Sequence, residues 1–267
     1  MGIRNKLGRI YYQFTPKKLN MKLITITWSY SDKSEVKESI LYKSFIKNNN
    51  ESDFINFHFN RSNYLDIEKK FESQYGIQYD YILYKIFLIQ DLIETIDDDI
   101  LIFSDTNDVV CMGSINEISY EDGIIFSAEK HQYPNDITSW KPVSSYPDKN
   151  IIELNFLNSG LIISNKKLFI ELLKSVIENV LPLNYKSFYS DQGVFTYYFI
   201  NDFLPKITLD EGRINFVSTY LTGQDWYNFD DNKILYKPTN SYPLFVHDNG
   251  WNYGSPKIIN GFNLIEE

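Results

Sequence analysis

The sequence predicts an α/β protein with a mostly parallel central sheet flanked by helices, and three observations carry that prediction. Short β-branched or aliphatic runs alternate with apolar residues at helical spacing through the first half of the chain. One of the runs, Ile100 to Phe103, is apolar without interruption, as in a strand buried on both faces. The last quarter of the chain then breaks into short aromatic and β-branched pieces punctuated by Gly212, Gly223, Pro238, Pro243, Gly250, Gly254 and Pro256, a pattern of hairpins and loops.

Taken in order, Lys22 to Trp28 reads as a strand, and Val36, Ile40, Leu41 and Phe45 recur at helical spacing up to the breaker at Lys47–Asn50. Phe54 to Phe59 alternates as a second strand. Ile82, Ile86, Ile89, Ile93 and Ile96 mark one face of a helix of about 16 residues. That helix ends in Asp97-Asp98-Asp99, directly before the Ile100–Phe103 run, which is expected at the centre of the sheet. Gly123–Phe126 and Phe156–Ser164 are strand-like. Lys166 to Asn179 is an amphipathic helix with Leu168, Leu172, Leu173 and Val176 on one face, and a further helix starts near Ser190. No internal repeat or convincing linker divides the chain, so residues 21–267 are read as one domain preceded by a basic arm, residues 1–20.

Composition narrows the function. A net charge of −9 and a pI near 4.9 have the wrong sign for neutralising a polyphosphate backbone, which argues against nucleic acid as partner. The single cysteine, Cys111, makes no internal disulfide and no cysteine-based metal centre, and it suits reducing surroundings. There is no apolar segment of signal-peptide type at the start and no run of about 18 apolar residues to span a bilayer, so a cytoplasmic location is expected.

The sharpest feature is Asp99 to Val110, in which a buried-type strand delivers Asp105 and Asp108 into a turn. Two carboxylates three residues apart at a strand end suit a hard cation, with positions left for water and a substrate phosphate. The plainer alternative is a post-strand turn whose Asp and Asn side chains bond their own backbone. A haloacid-dehalogenase-type phosphatase fits poorly, because its two carboxylates stand two residues apart near the N-terminus. His247 ends the apolar run of Pro243–His247 before a Gly-containing turn, and an imidazole added to two carboxylates favours Mn²⁺ over Mg²⁺. With three histidines and no His-x-Asp pair, a facial-triad iron site is not expected.

In order along the chain, Lys22–Tyr30, Ile100–Val110, Ile124–Pro134, Phe156–Ser164, Ser190–Phe199, Leu209–Phe216 and Val246–Gly250 resemble the glycosyltransferase domain of the procollagen lysyl hydroxylases and the collagen glycosyltransferase-like proteins of giant viruses and bacteria. The resemblance implies a GT-A glycosyltransferase fold, with a Rossmann-like nucleotide-binding half, a UDP-sugar donor and Mn²⁺. It implies that Asp105, Asp108 and His247 hold the metal, and that Thr27, Trp28, Tyr30, Lys85, Asn107 and Gly250 lie around the sugar nucleotide. It makes Asp191 the first candidate for a catalytic carboxylate and Glu129 the second, with Asn158 and Ser159 placed to bind sugar hydroxyls. For Lys85 a solvated helix face, and for Ser190 or Asp191 an ordinary helix cap, are the structural alternatives.

Three positions depart from the family pattern. Asn107 stands where the animal enzymes carry Tyr, Tyr253 stands where a Lys is expected unless Lys257 substitutes for it, and Tyr133 replaces a Trp near the acceptor side. The implied activity is transfer of glucose or galactose to a hydroxyl acceptor, hydroxylysine or galactosyl-hydroxylysine on a collagen-like peptide, with a cell-surface glycan as the alternative acceptor. The competing class is a non-catalytic sugar- or protein-binding module on a decayed transferase fold, and the presence of Asp105, Asp108, His247 and Asp191 together argues against decay.

Overall fold

The computed structural model describes residues 20–28, 36–59, 65–66, 68–69, 72–73, 81–130, 156–183, 190–211, 213–219, 222, 224–230 and 233–249. β1 (Met21–Trp28) and β2 (Phe54–Phe59) take the positions their β-branched and aromatic residues predict, and α1 (Ile40–Ile46) lies between them. Ser39 caps α1, its hydroxyl accepting from the Tyr42 N–H, an interaction worth about 1 kcal/mol. α2 (Tyr81–Ile93) closes three residues before Ile96, so the helix is shorter than its isoleucine periodicity suggests. The chain turns there through the Thr95 N–H and hydroxyl, both bonded to the Leu92 carbonyl, yet Ile96 stays in the core.

β3 (Ile100–Ser104), β5 (Ile124–Glu129), β6 (Phe156–Asn165) and β7 (Ile207–Leu209) complete a six-stranded sheet of order β2-β1-β3-β6-β5-β7. β6 is antiparallel to both its neighbours and every other pairing is parallel, so the sheet is mostly parallel as expected. β3 is buried at all its residues, in keeping with its unbroken apolar run. One face of the sheet is covered by α2, α3 (Lys166–Asn179) and α4 (Asp191–Ile200), through Ile86, Ile89, Phe169, Leu172, Val194 and Tyr198.

The other face meets α1 and a small sheet that the periodicity gives little sign of. It is built from β4 (Val109–Cys111), β11 (Phe245–His247) and β8 (Phe216–Ser218), in the order β4-β11-β8. Alternate residues of these strands face opposite ways: Val109, Phe216 and Phe245 join the main-sheet core, while Val110, Val217 and Val246 pack against the hairpin of β9 (Tyr227–Asp230) and β10 (Lys233–Tyr236). Both sides are thus apolar, which is what allows such short strands to persist. Among the described residues no helix is long and apolar enough to cross a membrane.

Two irregularities position the site. Asp105 leaves the end of β3 with its N–H bonded to the Gly160 carbonyl, so the acidic turn starts against β6. The pairing of β5 with β6 also jumps, from Phe126 opposite Ile162 to Ser127 opposite Asn158, so that Ser159, Gly160 and Leu161 bulge from β5. That bulge takes the Ser159 and Gly160 backbone out of the β5 ladder beside Asn158.

Candidate active site

Asp105, Asp108 and His247 converge where β3, β4 and β11 meet. In the antiparallel ladder His247 lies opposite Val109, and the Asp248 N–H donates to the Asp108 carbonyl at 2.7 Å, which fixes the imidazole beside the acidic turn. His247 Nε2 is 3.3 Å from Asp108 Oδ2 and 3.9 Å from Asp105 Oδ2. One donor atom from each residue lies within 4.8 Å of the others. Donors that share an ion at about 2.1 Å stand about 3 to 4 Å apart, so a slight inward movement brings these three onto one divalent cation.

Gly160 is the wall of this cradle. A Cβ at that position would lie 2.2 Å from His247 Cε1 and 2.8 Å from Asp105 Oδ2, so only a residue without a side chain lets the imidazole and the carboxylate approach this closely. Burial pushes the His247 imidazole down, but Asp108, with Asp105 and Glu129 behind it, outweighs that and brings it up to about 9. Burial likewise works against the Asp108 charge, and the neighbouring imidazole holds the carboxyl below its ordinary range.

Lys85 is not a solvated residue of α2. Its ammonium lies 3.0 Å from Asp105 Oδ1 and 2.7 Å from Asp191 Oδ2, and it stacks 5.2 Å above the Phe103 ring. Burial disfavours that charge, yet the two carboxylates more than compensate and raise the ammonium well above the usual lysine range. Asp105 therefore divides its oxygens, Oδ1 toward Lys85 and Oδ2 toward His247.

Ser190 is the cap of α4, its hydroxyl accepting from the Gly193 N–H, which leaves Asp191 as the first helical residue with its carboxylate turned inward. Asp191 Oδ1 accepts from the Gln192 N–H at 2.8 Å and from the Ser159 hydroxyl at 3.3 Å. The carboxylate is thus aimed by the bulge of β6 and paired by a lysine from α2.

Behind these charges lies a buried amide cluster. Glu129 is fully buried and accepts from Asn158 Nδ2 at 3.0 Å, Gln192 Nε2 at 2.5 Å and Asn249 Nδ2 at 3.3 Å. Burial pushes its carboxyl up to about 8 against the pull of those donors. Asn158 connects this cluster to the imidazole, with Oδ1 3.0 Å from His247 Nδ1.

The expected nucleotide side is described in part. Thr27, the penultimate residue of β1, has its hydroxyl accepting from Asn56 Nδ2 at 3.0 Å and lying 3.1 Å from His58 Nδ1, and Trp28 is the last residue of the strand. Thr25 and Thr106 touch through their hydroxyls and tie β1 to the acidic turn, in which Asn107 is exposed. Tyr30, Gly250, Tyr133, Tyr253 and Lys257 lie outside the described residues. Sequence reasoning left His58 unassigned and missed Gln192 and Asn249 as partners of Glu129. Their signal was position, inside the matching segments Ser190–Phe199 and Val246–Gly250, with Gln192 next to Asp191 and Asn249 two residues after His247.

A family model described as the PLOD GT domain matches residues 79–258. No curated protein matches the chain significantly. Among solved structures, the apo form of mouse xyloside xylosyltransferase 1 is similar in fold, with a TM-score of 0.54 at 13% identity over 88% of this chain and 99% of that one. A glycosyltransferase involved in glycosylation of the major capsid of PBCV-1 aligns at 13% identity and a TM-score of 0.43, over 86% of this chain and 93% of its own. With most of its length, the acidic turn, the bulged strand and the closing histidine included, inside the matched region, the chain belongs to the PLOD GT domain family and is a glycosyltransferase of GT-A-type fold.

Proposed function

We propose that this glycosyltransferase transfers glucose or galactose from a UDP-sugar to a hydroxyl acceptor, hydroxylysine or galactosyl-hydroxylysine on collagen-like chains, with Mn²⁺ held by Asp105, Asp108 and His247. One observation carries the reading: Asp108 and His247 meet Asp105 on one side while Lys85 and Asp191 meet on its other side. The imidazole in the donor set favours Mn²⁺ over Mg²⁺. A divalent cation there supplies Lewis-acid stabilisation of the negative charge that gathers on the departing diphosphate.

The chain's own residues do the rest. Lys85 adds a fixed positive charge beside Asp105, where a sugar diphosphate bound at the acidic turn carries its negative charge. Asp191, held 2.7 Å from Lys85, is the carboxylate that stabilises positive charge on the sugar or takes the proton of the acceptor hydroxyl. Glu129 has its oxygens committed to three amides, so it serves to orient its neighbours and not as the reacting base. Thr27, Trp28 and Asn107 sit at the strand ends where an α/β sheet receives a nucleotide. Tyr30 and Gly250 are assigned to the same subsite by the family resemblance. The acceptor class rests on that resemblance as well.

The test is release of UDP from a panel of UDP-sugars with and without Mn²⁺, first without acceptor and then with a galactosylated or hydroxylysine-containing collagen peptide. The expected result is Mn²⁺-dependent turnover of a glucose or galactose donor, accelerated by the peptide. Metal-dependent hydrolysis indifferent to the peptide would reject the acceptor, and no turnover of any donor would reject the enzyme in favour of a binding module.

A further inference from the structure

The amide cluster behind the cation site has a polarity that can be worked out atom by atom. The Gly160 N–H donates to one end of the Asn158 side-chain amide at 3.1 Å, and since an N–H offers only a hydrogen, that end is the oxygen. The other end, Nδ2, donates to Glu129 Oε2 at 3.0 Å and Gln192 Oε1 at 3.3 Å. Gln192 is fixed in the same way, with the Ser159 N–H donating to its Oε1 at 3.3 Å and its Nε2 donating to Glu129. Turning the Asn158 amide over would set its NH₂ against the Gly160 N–H and its carbonyl against two oxygens. Glu129 is 0% exposed, Asn158 1% and Gln192 7%, so water does not relieve such a clash.

Asn158 Oδ1 is therefore also the atom that meets His247 Nδ1 at 3.0 Å. A carbonyl oxygen can only accept, so Nδ1 carries the hydrogen. In the neutral ring the lone pair then resides on Nε2, the nitrogen that faces Asp108 Oδ2 and Asp105 Oδ2.

We propose that Asn158 is a positioning residue of the cation site: braced by the Gly160 N–H, Gln192 and Glu129, it holds His247 as the Nδ1–H tautomer and so presents Nε2 to the cation. The inference rests on reading Asp105, Asp108 and His247 as the ligand set. It gives the Asn-Ser-Gly segment 158–160 a specific task. Two consecutive backbone N–H groups, freed by the bulge in β6, set the direction of two buried amides, and these set the tautomer of a histidine on a different sheet. Asn158 thus acts through His247 and not on the sugar.

The direct test uses the full wild-type chain, ¹⁵N-labelled and loaded with Cd²⁺ as a diamagnetic probe, with the ring nitrogens of His247 assigned by loss of their signals in His247→Ala. The expected spectrum has a protonated Nδ1 and a metal-shifted Nε2; an Nε2–H ring or ligation through Nδ1 would overturn the proposal. Mn²⁺ affinity, read from the electron spin resonance of free Mn²⁺, should fall roughly tenfold or more in Asn158→Leu. Gln192→Met should lower it less, and that loss should vanish when Asn158→Leu is already present. A folded Asn158→Leu with wild-type Mn²⁺ affinity would reject the relay alone if Asp105→Ala has lost Mn²⁺ binding. If Asp105→Ala binds Mn²⁺ normally, the ligand set fails and the proposal fails with it.

Discussion

The two sheets of this molecule reach the same site by different routes. The six-stranded sheet is built mostly from strands long enough for their pattern to be visible before folding, even where it joins distant segments, as β1 with β3 and β5 with β7. The three-stranded sheet joins Val109–Cys111, Phe216–Ser218 and Phe245–His247, strands of three residues each, too short to show a pattern, the first of them far upstream of the other two. The first sheet delivers Asp105 from the end of β3, while the helices on its face bring Lys85 and Asp191; the second contributes the register that lays His247 beside Asp108. The chemistry of the proposed cation site thus depends on closure of a sheet that has no stability of its own and is held by the apolar clusters on its two sides. The comparison teaches that the acid–imidazole cluster is split between strands whose pattern marks them and strands fixed only by packing and register.

Substitutions on each side of the junction separate these contributions. Asp105→Ala is expected to have the largest effect: metal-dependent UDP binding is lost and transfer falls by about 100-fold or more, while the melting temperature stays near wild type because the residue sits on a partly exposed turn. Calorimetric titration of UDP with and without Mn²⁺ reads it, and unchanged affinity would remove Asp105 from the site. Asp191→Asn is expected to keep UDP binding and lower turnover by about 100-fold, as loss of a reacting carboxylate should. Near-normal turnover would leave Asp191 as a structural partner of Lys85.

Gly160→Ala tests the contact between the sheets. Its Cβ would meet His247 Cε1 at 2.2 Å, so Mn²⁺ affinity should drop by roughly tenfold and stability by about 1 to 3 kcal/mol. A variant that binds Mn²⁺ as tightly as wild type would show that close approach of β6 is dispensable.

Glu129 gives a pH signature. Its carboxyl rises from 4.5 to about 8 on folding. Between those values the folded state therefore binds more protons than the unfolded chain, so this group's contribution to stability is present at low pH and declines as pH climbs through the window. Melting temperature against pH should slope downward there in the wild type, and less steeply in Glu129→Gln; parallel curves would count against the assigned burial. The smallest effect is expected from Ser190→Ala, which removes the cap of α4 at a cost of about 1 kcal/mol, measured by denaturant unfolding.

The elements of the main sheet were legible because burial imposes a pattern on the chain. The Ile100–Phe103 run marks a strand covered on both faces, and Leu168, Leu172, Leu173 and Val176 mark the inner side of α3. The small sheet was less legible, since three residues are too few for a period, although the apolar run before His247 gave its last strand. The Asp105–Asp108 pair was visible as two acids after a buried strand. Lys85 carried two meanings, a solvated helix residue or a site lysine, and its double ion pair with Asp105 and Asp191 removes the first.

By itself the sequence determined which residues bear charge, which segments must be buried and, through an ordered set of motifs, the family. Tertiary structure alone decided which polar atoms face one another. Glu129 looks like a candidate base in sequence, and becomes an acceptor for three amides only when β5, β6, α4 and the segment after β11 close around it. Asn158 looks like a sugar ligand, and turns to His247 only because β6 bulges beside the Gly160 N–H. The physical reason is that composition and periodicity encode burial, which is non-directional, whereas the roles of these side chains depend on hydrogen-bond directions that exist only once distant segments are packed together.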